Sequence, residues 1–594
     1  MQRKYLVFAL LISFAASACS TNAVQDVEVA DSTIATGTSL IFAPEPAVGT
    51  IVEQGNSYPA EDLQEETSDL SENTNSFWDL SLNYPDPGLQ VDRTHPFQPL
   101  EKFCSAYPPI KEEVVPATVE VEKGDSLAII ASRHDLTVEE IIEMNDIENP
   151  NLIFVGQQIR IGEQLQIGKG PQATGRGITE NSVTVSYIRT ANDELSIYGF
   201  EDFRGDFSEI FSSFVRILNE DCGGFHGRKI DLQEVFTSPL QISEIDISTL
   251  GSIACLDATK NIPSVIVIDI SAFSGPLENC VANEQKTALM TSKVVPHKFL
   301  DNSDNRLLPD SFTAEQAFSL MLAFSEKKEL LRNQSIAVVV DDTLENFESV
   351  ISGLVEPLRE LNYNPSIYLL NCEGGIFCNT GMSSTIDGLL GNPPDVLFPV
   401  LNPVSLPELL TQMLQNGVPK PQIIQSGFNL QDDELSTNHL FNYGGREVAE
   451  YYDGTVIFSY PYVENERVND SSFSDFENMC LNEYSRVSIL DQHTIDTRRT
   501  KTVLRVCSLL RYVARALYDA GVNPSRRKIH ETLSNLGVVD TPGFSFGTFT
   551  QEKPTRPSSI QHLEYNFPCT FDGKSRMQNL SGCIIPVDYP VNID

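Results

Sequence analysis

Few side-chain combinations in this chain of 594 residues have a spacing that could do chemistry. Gly543-Phe544-Ser545-Phe546-Gly547 has the GxSxG spacing of a nucleophile elbow, which requires a strand before the serine and a helix after it. TFTQEKPTRP follows instead, with two prolines and no helical period, so no elbow is expected. The carboxylate pair Asp341-Asp342 closes the apolar run SIAVVV, where it either holds an ammonium group or is solvated or capping. The eight histidines are scattered, and no CxxC pair, HxH cluster, HExxH or phosphate-binding glycine loop occurs. Neither metal, cofactor nor catalysis is expected, and the chain reads as a binding protein.

Charge and export signals narrow the setting. A formal charge of −41 opposes nucleic acid and electrostatic docking on an anionic membrane. The opening MQRKYLVFALLISFAASACS has a basic start at Arg3 and Lys4, then an apolar run from Tyr5 to Ala16 too short for a comfortable span. Ala16-Ser17-Ala18-Cys19 resembles a bacterial lipobox, with Ala16 where leucine is usual, and implies lipidation at Cys19. The alternative is an ordinary signal peptide cut after Ala18. No other stretch of 18 apolar residues occurs, so acyl chains would be the only membrane attachment. Ten cysteines remain, and in an exported chain they are expected as disulfides: Cys255 with Cys280, Cys372 with Cys378, Cys480 with Cys507 and Cys569 with Cys583 as local pairs, with Cys104 and Cys222 unassigned.

The chain divides by composition into 1–18 (signal peptide), 19–116 (disordered acidic tether), 117–163, a Gly-rich hinge 164–179, 180–568, and an extension 569–594. The 97 flexible residues from Ser20 to Pro116 would have an r.m.s. span of about 55 Å. In 117–163, Val119 and Val121 alternate as a strand. Asp125 or Ser126 caps a helix with Leu127, Ile130 and Ala131 inward, Thr137 caps a second, and QQIRI ends as a strand. Lys123-Gly124-Asp125-Ser126-Leu127, Asn145, Asn149-Pro150-Asn151-Leu152-Ile153 and Gly156-Gln157-Gln158-Ile159 resemble a LysM domain. That resemblance implies a small βααβ fold holding peptidoglycan or another N-acetylglucosamine glycan. Its groove maps onto Gly124, Asp125, Ser126, Asn151, Leu152, Ile153 and Phe154.

Residues 180–568 repeat strand, loop and helix. VTVSYI, KIDLQEVF, SVIVIDI, TALMTS, SIAVVV, PSIYLL, DVLFPVL, QIIQSG and TVIFSY read as strands, with helical runs such as FSEIFSSFVRILNE and VCSLLRYVARALYDAG between them. This alternation predicts α/β with mainly parallel sheets. NEDCGGFHGRKIDL (219–232), with 520–537 and 540–550, resembles type I periplasmic binding proteins of the Leu/Ile/Val receptor group. The resemblance implies two Rossmann-like lobes joined by three crossings and closing on a small, amino-acid-like solute. It maps ligand contacts onto Tyr198, Gly199, Ser271, Phe273, Ser274, Thr291 and Ser292. In lobe two the family's tyrosine-glycine is replaced by Asp341-Asp342, and Asn402 and Phe428 end loops on the same cleft. The implied partners are a small-molecule solute and an ABC permease. Alternatively, as a wall-linked regulator, the chain would dock a peptidoglycan synthase. The implied place is the cell envelope: outer membrane and periplasm in a diderm, the outer face of the cell membrane in a monoderm.

Overall fold

The computed structural model describes residues 91–593 apart from short stretches, the longest being 105–112, 195–205, 461–472, 490–496 and 576–581. Cys19 and the signal segment lie outside the described residues.

The small domain is β1 (Glu113–Glu120), α1 (Leu127–Arg133), α2 (Val138–Asn145) and β2 (Gln158–Gln166), with β1 and β2 antiparallel. Ser126 Oγ accepts from the Ile129 amide and starts α1. Thr137 and Glu140 bond reciprocally and start α2 as a capping box. Val121, Leu127, Ile130, Ala131, Ile141 and Ile159 form its core. Asn145 stitches α2 to β2, its Nδ2 donating to the Arg160 carbonyl and its Oδ1 accepting from the Arg160 amide, both at 2.7 Å.

Lobe one is built on β3 (Ser182–Thr190), β4 (Lys229–Thr237), β5 (Ile266–Asp269), β6 (Ala288–Thr291) and β7 (Leu307–Pro309). All pairs are parallel and the order is β4-β3-β5-β6-β7. Lobe two repeats the plan with β8 (Ile336–Asp341), β9 (Ser366–Leu370), β10 (Val396–Val400), β11 (Gln422–Ser426) and β12 (Thr455–Ser459), in the order β9-β8-β10-β11-β12. Each is therefore a doubly wound sheet of order 2-1-3-4-5. Strands such as β8 are apolar runs, buried along their length because helices cover both faces of a parallel sheet.

A short hairpin of β13 (Gly537–Asp540) and β14 (Phe546–Phe549) follows lobe one's helices Thr497–Asp519 and Arg526–Leu533. Gly547 of the GxSxG run sits in β14, a strand where an elbow would need a helix; residues 543–545 lie outside the described residues. β15 (Ser559–Asn566) and β16 (Cys583–Pro586) then extend lobe two's sheet antiparallel, beyond β12. The chain thus passes between lobes three times: after Pro309, after Ser459, and between Phe549 and Ser559.

The tether differs from expectation. Val91, Phe97 and Phe103 are buried, Phe97 and Phe103 within lobe one's core, where a disordered tether through 116 is expected. Aromatic burial drives this, with the Phe97 ring 5.3 Å from Phe225 and the Phe103 ring 5.4 Å from Phe214. A disulfide joins Cys104 to Cys222, the pair left unassigned by local spacing. Cys255–Cys280, Cys372–Cys378 and Cys480–Cys507 form as expected. Cys583 is also disulfide-bonded, and Cys569 lies outside the described residues.

Candidate functional site

The glycan-binding candidates occupy two adjacent loops of the small domain. Val121 ties them, its amide donating to Gln157 O and its carbonyl accepting from the Gly156 amide. Gly124 and Gly156 both take positive φ, +102° and +89°, as these tight turns require. Asp125 and Ser126 are spent on structure. Asp125 accepts from the Glu122 amide and pairs with Arg133 at 2.8 Å, and both interactions hold its carboxyl below the usual range, the amide most. Asn151 gives its amide to Asn149 Oδ1, a turn bond. Ile153 packs against the domain core. Leu152 and Phe154 are 57% and 62% exposed, an apolar platform such as a sugar face needs. Val155, next along the same loop, is exposed too and adds to it; sequence patterning missed it because an apolar residue in a loop reads as buried.

The cleft candidates lie at carboxyl ends of strands. In lobe one, Asp269 ends β5 fully buried and gathers its neighbours. Ser271 Oγ donates to Asp269 Oδ1 at 2.7 Å, Thr291 Oγ1 donates to Oδ2 at 3.1 Å, and the Ser292 amide donates to the Asp269 carbonyl. The Lys293 ammonium lies 3.1 Å from Asp269, 3.6 Å from buried Glu278 and 3.0 Å from Ser271 Oγ. Burial pushes the Glu278 carboxyl up, against the pull of Lys293. Ser271 Oγ thus donates to Asp269 and accepts from Lys293, which fixes its orientation within the lobe. Tyr198, Gly199, Phe273 and Ser274 lie outside the described residues.

Lobe two repeats this motif around a second buried strand-end aspartate. Asp341 ends β8 fully buried, and burial raises its pKa. Its Oδ1 accepts from Thr343 (amide and hydroxyl) and from Asn346, while Oδ2 accepts from the Asn402 amide and side chain at 2.6 and 3.1 Å. Asn402 Oδ1 in turn accepts from the Val404 and Ser405 amides at the start of helix Ser405–Gln415. Asp342 accepts from the Cys372 amide. The Cys372 and Cys378 sulfurs lie within 4.8 Å of Asp341, but they are bonded to each other and present no thiolate. Phe428 is buried in lobe two's core with its ring 5.1 Å from Phe318. The lobes touch where the Ile247 amide donates to the Gly374 carbonyl at 3.3 Å.

Sequence reasoning missed the residues at the crossings. Arg556, before β15, donates twice to the Asp310 carbonyl, at 3.1 and 2.6 Å, and Arg505 approaches Asp310 Oδ2 at 3.3 Å. With Tyr460, Ser508 and Tyr512 they line a cavity of about 10 Å³, room for one water. Asp310 Oδ1 is buried with no hydrogen-bond partner among the described residues. The available signal was the strand-end position of Asp310, but β7 is only three residues and leaves no apolar run to mark that end.

Residues 119–162 match the LysM domain family. Over 80 residues the chain is 32% identical to an endolysin of Bacillus phage PZA, which is 13% of this chain and 31% of the endolysin, so it spans under a third of that relative. Solved structures similar to it include an ABC-transporter solute-binding protein from R. palustris in complex with 4-hydroxybenzoate, at 11% identity and TM-score 0.49, covering 69% of this chain and 97% of that one. Others are a leucine-binding protein from Thermotoga maritima MSB8, at 13% identity and TM-score 0.47, covering 69% and 99%, and a fatty acid ABC transporter substrate-binding protein from Thermomonospora curvata, at 12% and 0.47, covering 72% and 95%. These neighbours are two-lobed binding proteins. For this chain the two-lobed architecture rests on its own strand orders and crossings. Among the described residues no helix is long and apolar enough to cross a membrane.

Proposed function

We propose that this protein is an envelope binding protein, held on peptidoglycan through its LysM domain and closing two lobes on a small, amino-acid-like solute. It serves as the substrate-binding protein of an ABC transporter or as a ligand receptor, exported and anchored by lipid at Cys19. One observation carries the reading: two sheets of the same 2-1-3-4-5 order, joined by three crossings, put the loops at their strand ends where open α/β sheets bind ligands. Closure of such lobes turns occupancy into a shape that a partner reads.

A specific observation favours a second reading. Ser271, Thr291 and Asp341 spend their hydrogen-bonding groups on their own lobes. A cleft so committed also fits a wall-linked regulator of peptidoglycan synthesis that uses the fold to dock a protein. The wall half, common to both readings, is tested by sedimenting the intact chain with purified peptidoglycan in competition with soluble N-acetylglucosamine oligomers. Co-sedimentation lost on competition is expected; no co-sedimentation would sink it. The solute half is tested by thermal melting of the intact protein against a panel of amino-acid-like solutes.

A further inference from the structure

The two ends of the LysM domain come back to one place on lobe one. On the leading side, the Cys104–Cys222 disulfide closes a span of 118 residues that contains the whole domain. Around it Phe97 packs on Phe225 and Tyr518, His95 Nε2 sits 2.8 Å from Asp519 Oδ1, and Arg511 Nη1 donates to the Phe103 carbonyl at 2.9 Å. On the trailing side, Arg228 Nη2 donates to the Gln172 carbonyl at 2.6 Å, and the Gln172 amide donates to Asn523 Oδ1 at 2.7 Å. Cys222 and Arg228 bound a single turn that leads into β4, and Tyr518, Asp519 and Asn523 lie at the end of the helix beside it.

That turn is at the amino end of β4. The strand's nine residues put it roughly 30 Å from the carboxyl end that faces the cleft. The connections are short. Nine residue steps separate Cys104 from Glu113 and six separate Gln166 from Gln172, which at most about 3.6 Å per residue reach about 32 and 22 Å.

We propose that the LysM domain is an insertion leashed at both ends to the rear of lobe one, so that glycan held by it lies behind lobe one and the cleft opens away from the wall. Lobe two, which carries neither leash, is then the lobe free to swing. The leash stands on the disulfide and packing alone; the glycan's position rests additionally on the peptidoglycan reading proposed above.

The intact protein tests both parts. Spin labels on genetically encoded residues at Glu143 in the LysM domain, Glu220 beside the turn and Ser248 at the cleft end of lobe one report the leash. Glu143–Glu220 distances are expected to be narrow and at least about 10 Å shorter than Glu143–Ser248, and Cys104→Ser is expected to broaden them. Should Cys104→Ser fail to fold, cutting at a protease site placed within 105–112 severs the same leash after folding. A LysM domain equally near Ser248, or a Glu143–Glu220 distribution that neither change broadens, overturns the proposal. With purified peptidoglycan, a photo-crosslinking residue at Glu220 is expected to capture glycan and one at Ser248 is not; the reverse overturns the orientation. Absence of any peptidoglycan binding refutes the wall reading and, with it, the orientation, while the distances still decide the leash.

Discussion

Arg228→Ala should destabilise lobe one by about 4 kcal/mol. Arg228 is 2% exposed, and its guanidinium reaches the carbonyls of Thr179, Gln172 and Val522 and the side chain of Asn523. It therefore ties the start of β3, the segment after the LysM domain and the end of the long helix into one knot. Removing it strands several buried acceptors, each costing about 1–3 kcal/mol, with relaxation keeping the sum near about 4 kcal/mol. A lobe of this size loses roughly 2–4 °C per kcal/mol, so its transition in scanning calorimetry should fall by about 10 °C. Arg228→Lys should recover less than half, because one ammonium on a flexible stem cannot reproduce a planar fork spanning four acceptors. A fall below about 2 °C for the alanine variant, or full recovery by lysine, would refute this reasoning.

Three further outcomes are expected. Phe154→Ala should weaken co-sedimentation with peptidoglycan roughly tenfold, about 1.4 kcal/mol, while leaving melting unchanged, since the ring is 62% exposed. Acid should destabilise the protein through His530, whose pKa burial depresses to about 4 while Nε2 lies 3.2 Å from the Val265 carbonyl. Its stabilisation is full above the unfolded value near 6.5 and is lost as pH falls through about 4, a swing of about 3 kcal/mol that His530→Gln should remove from denaturant titrations at pH 7 and 4. Gly177→Ala should cost more than about 2 kcal/mol in a denaturant midpoint, because Gly177 sits at φ +80° and an added Cβ would lie 1.9 Å from the Pro263 carbonyl oxygen.

What was legible in the sequence follows from how local each signal is. The nine strand-like runs of 180–460 all become strands; inner ones such as β5, β8 and β10 are buried along their length and read as apolar runs, whereas the edge strands β4 and β9 are only partly buried. The βααβ domain was equally legible, since its caps and turns are local bonds: Ser126 to Ile129, Thr137 with Glu140, Asn149 to Asn151. β7 was missed because three residues make no pattern, and β15 because half its positions face a partner strand that arrives later in the chain. The burial of Phe97 and Phe103 was invisible for the same reason: their partners lie more than 100 residues on, and Cys104 cannot choose Cys222 by spacing. Among the cleft candidates, Ser271 and Thr291 both bond to Asp269. A parallel register sets Asp269 beside Thr291, and no sequence pattern announces that register.

On the proposed reading, the two lobes close on a small solute while the LysM domain holds the protein to the wall. Its most direct test is thermal unfolding of the intact protein against free amino acids, small amides and soluble muropeptides. A solute present at about 100 times its dissociation constant should stabilise the native state by about 2.7 kcal/mol, visible as a raised melting temperature. Such a rise is expected with at least one amino-acid-like solute. A melting temperature unmoved by every member of the panel, in protein that still sediments with peptidoglycan, would contradict it and leave the cleft as a surface for docking a protein.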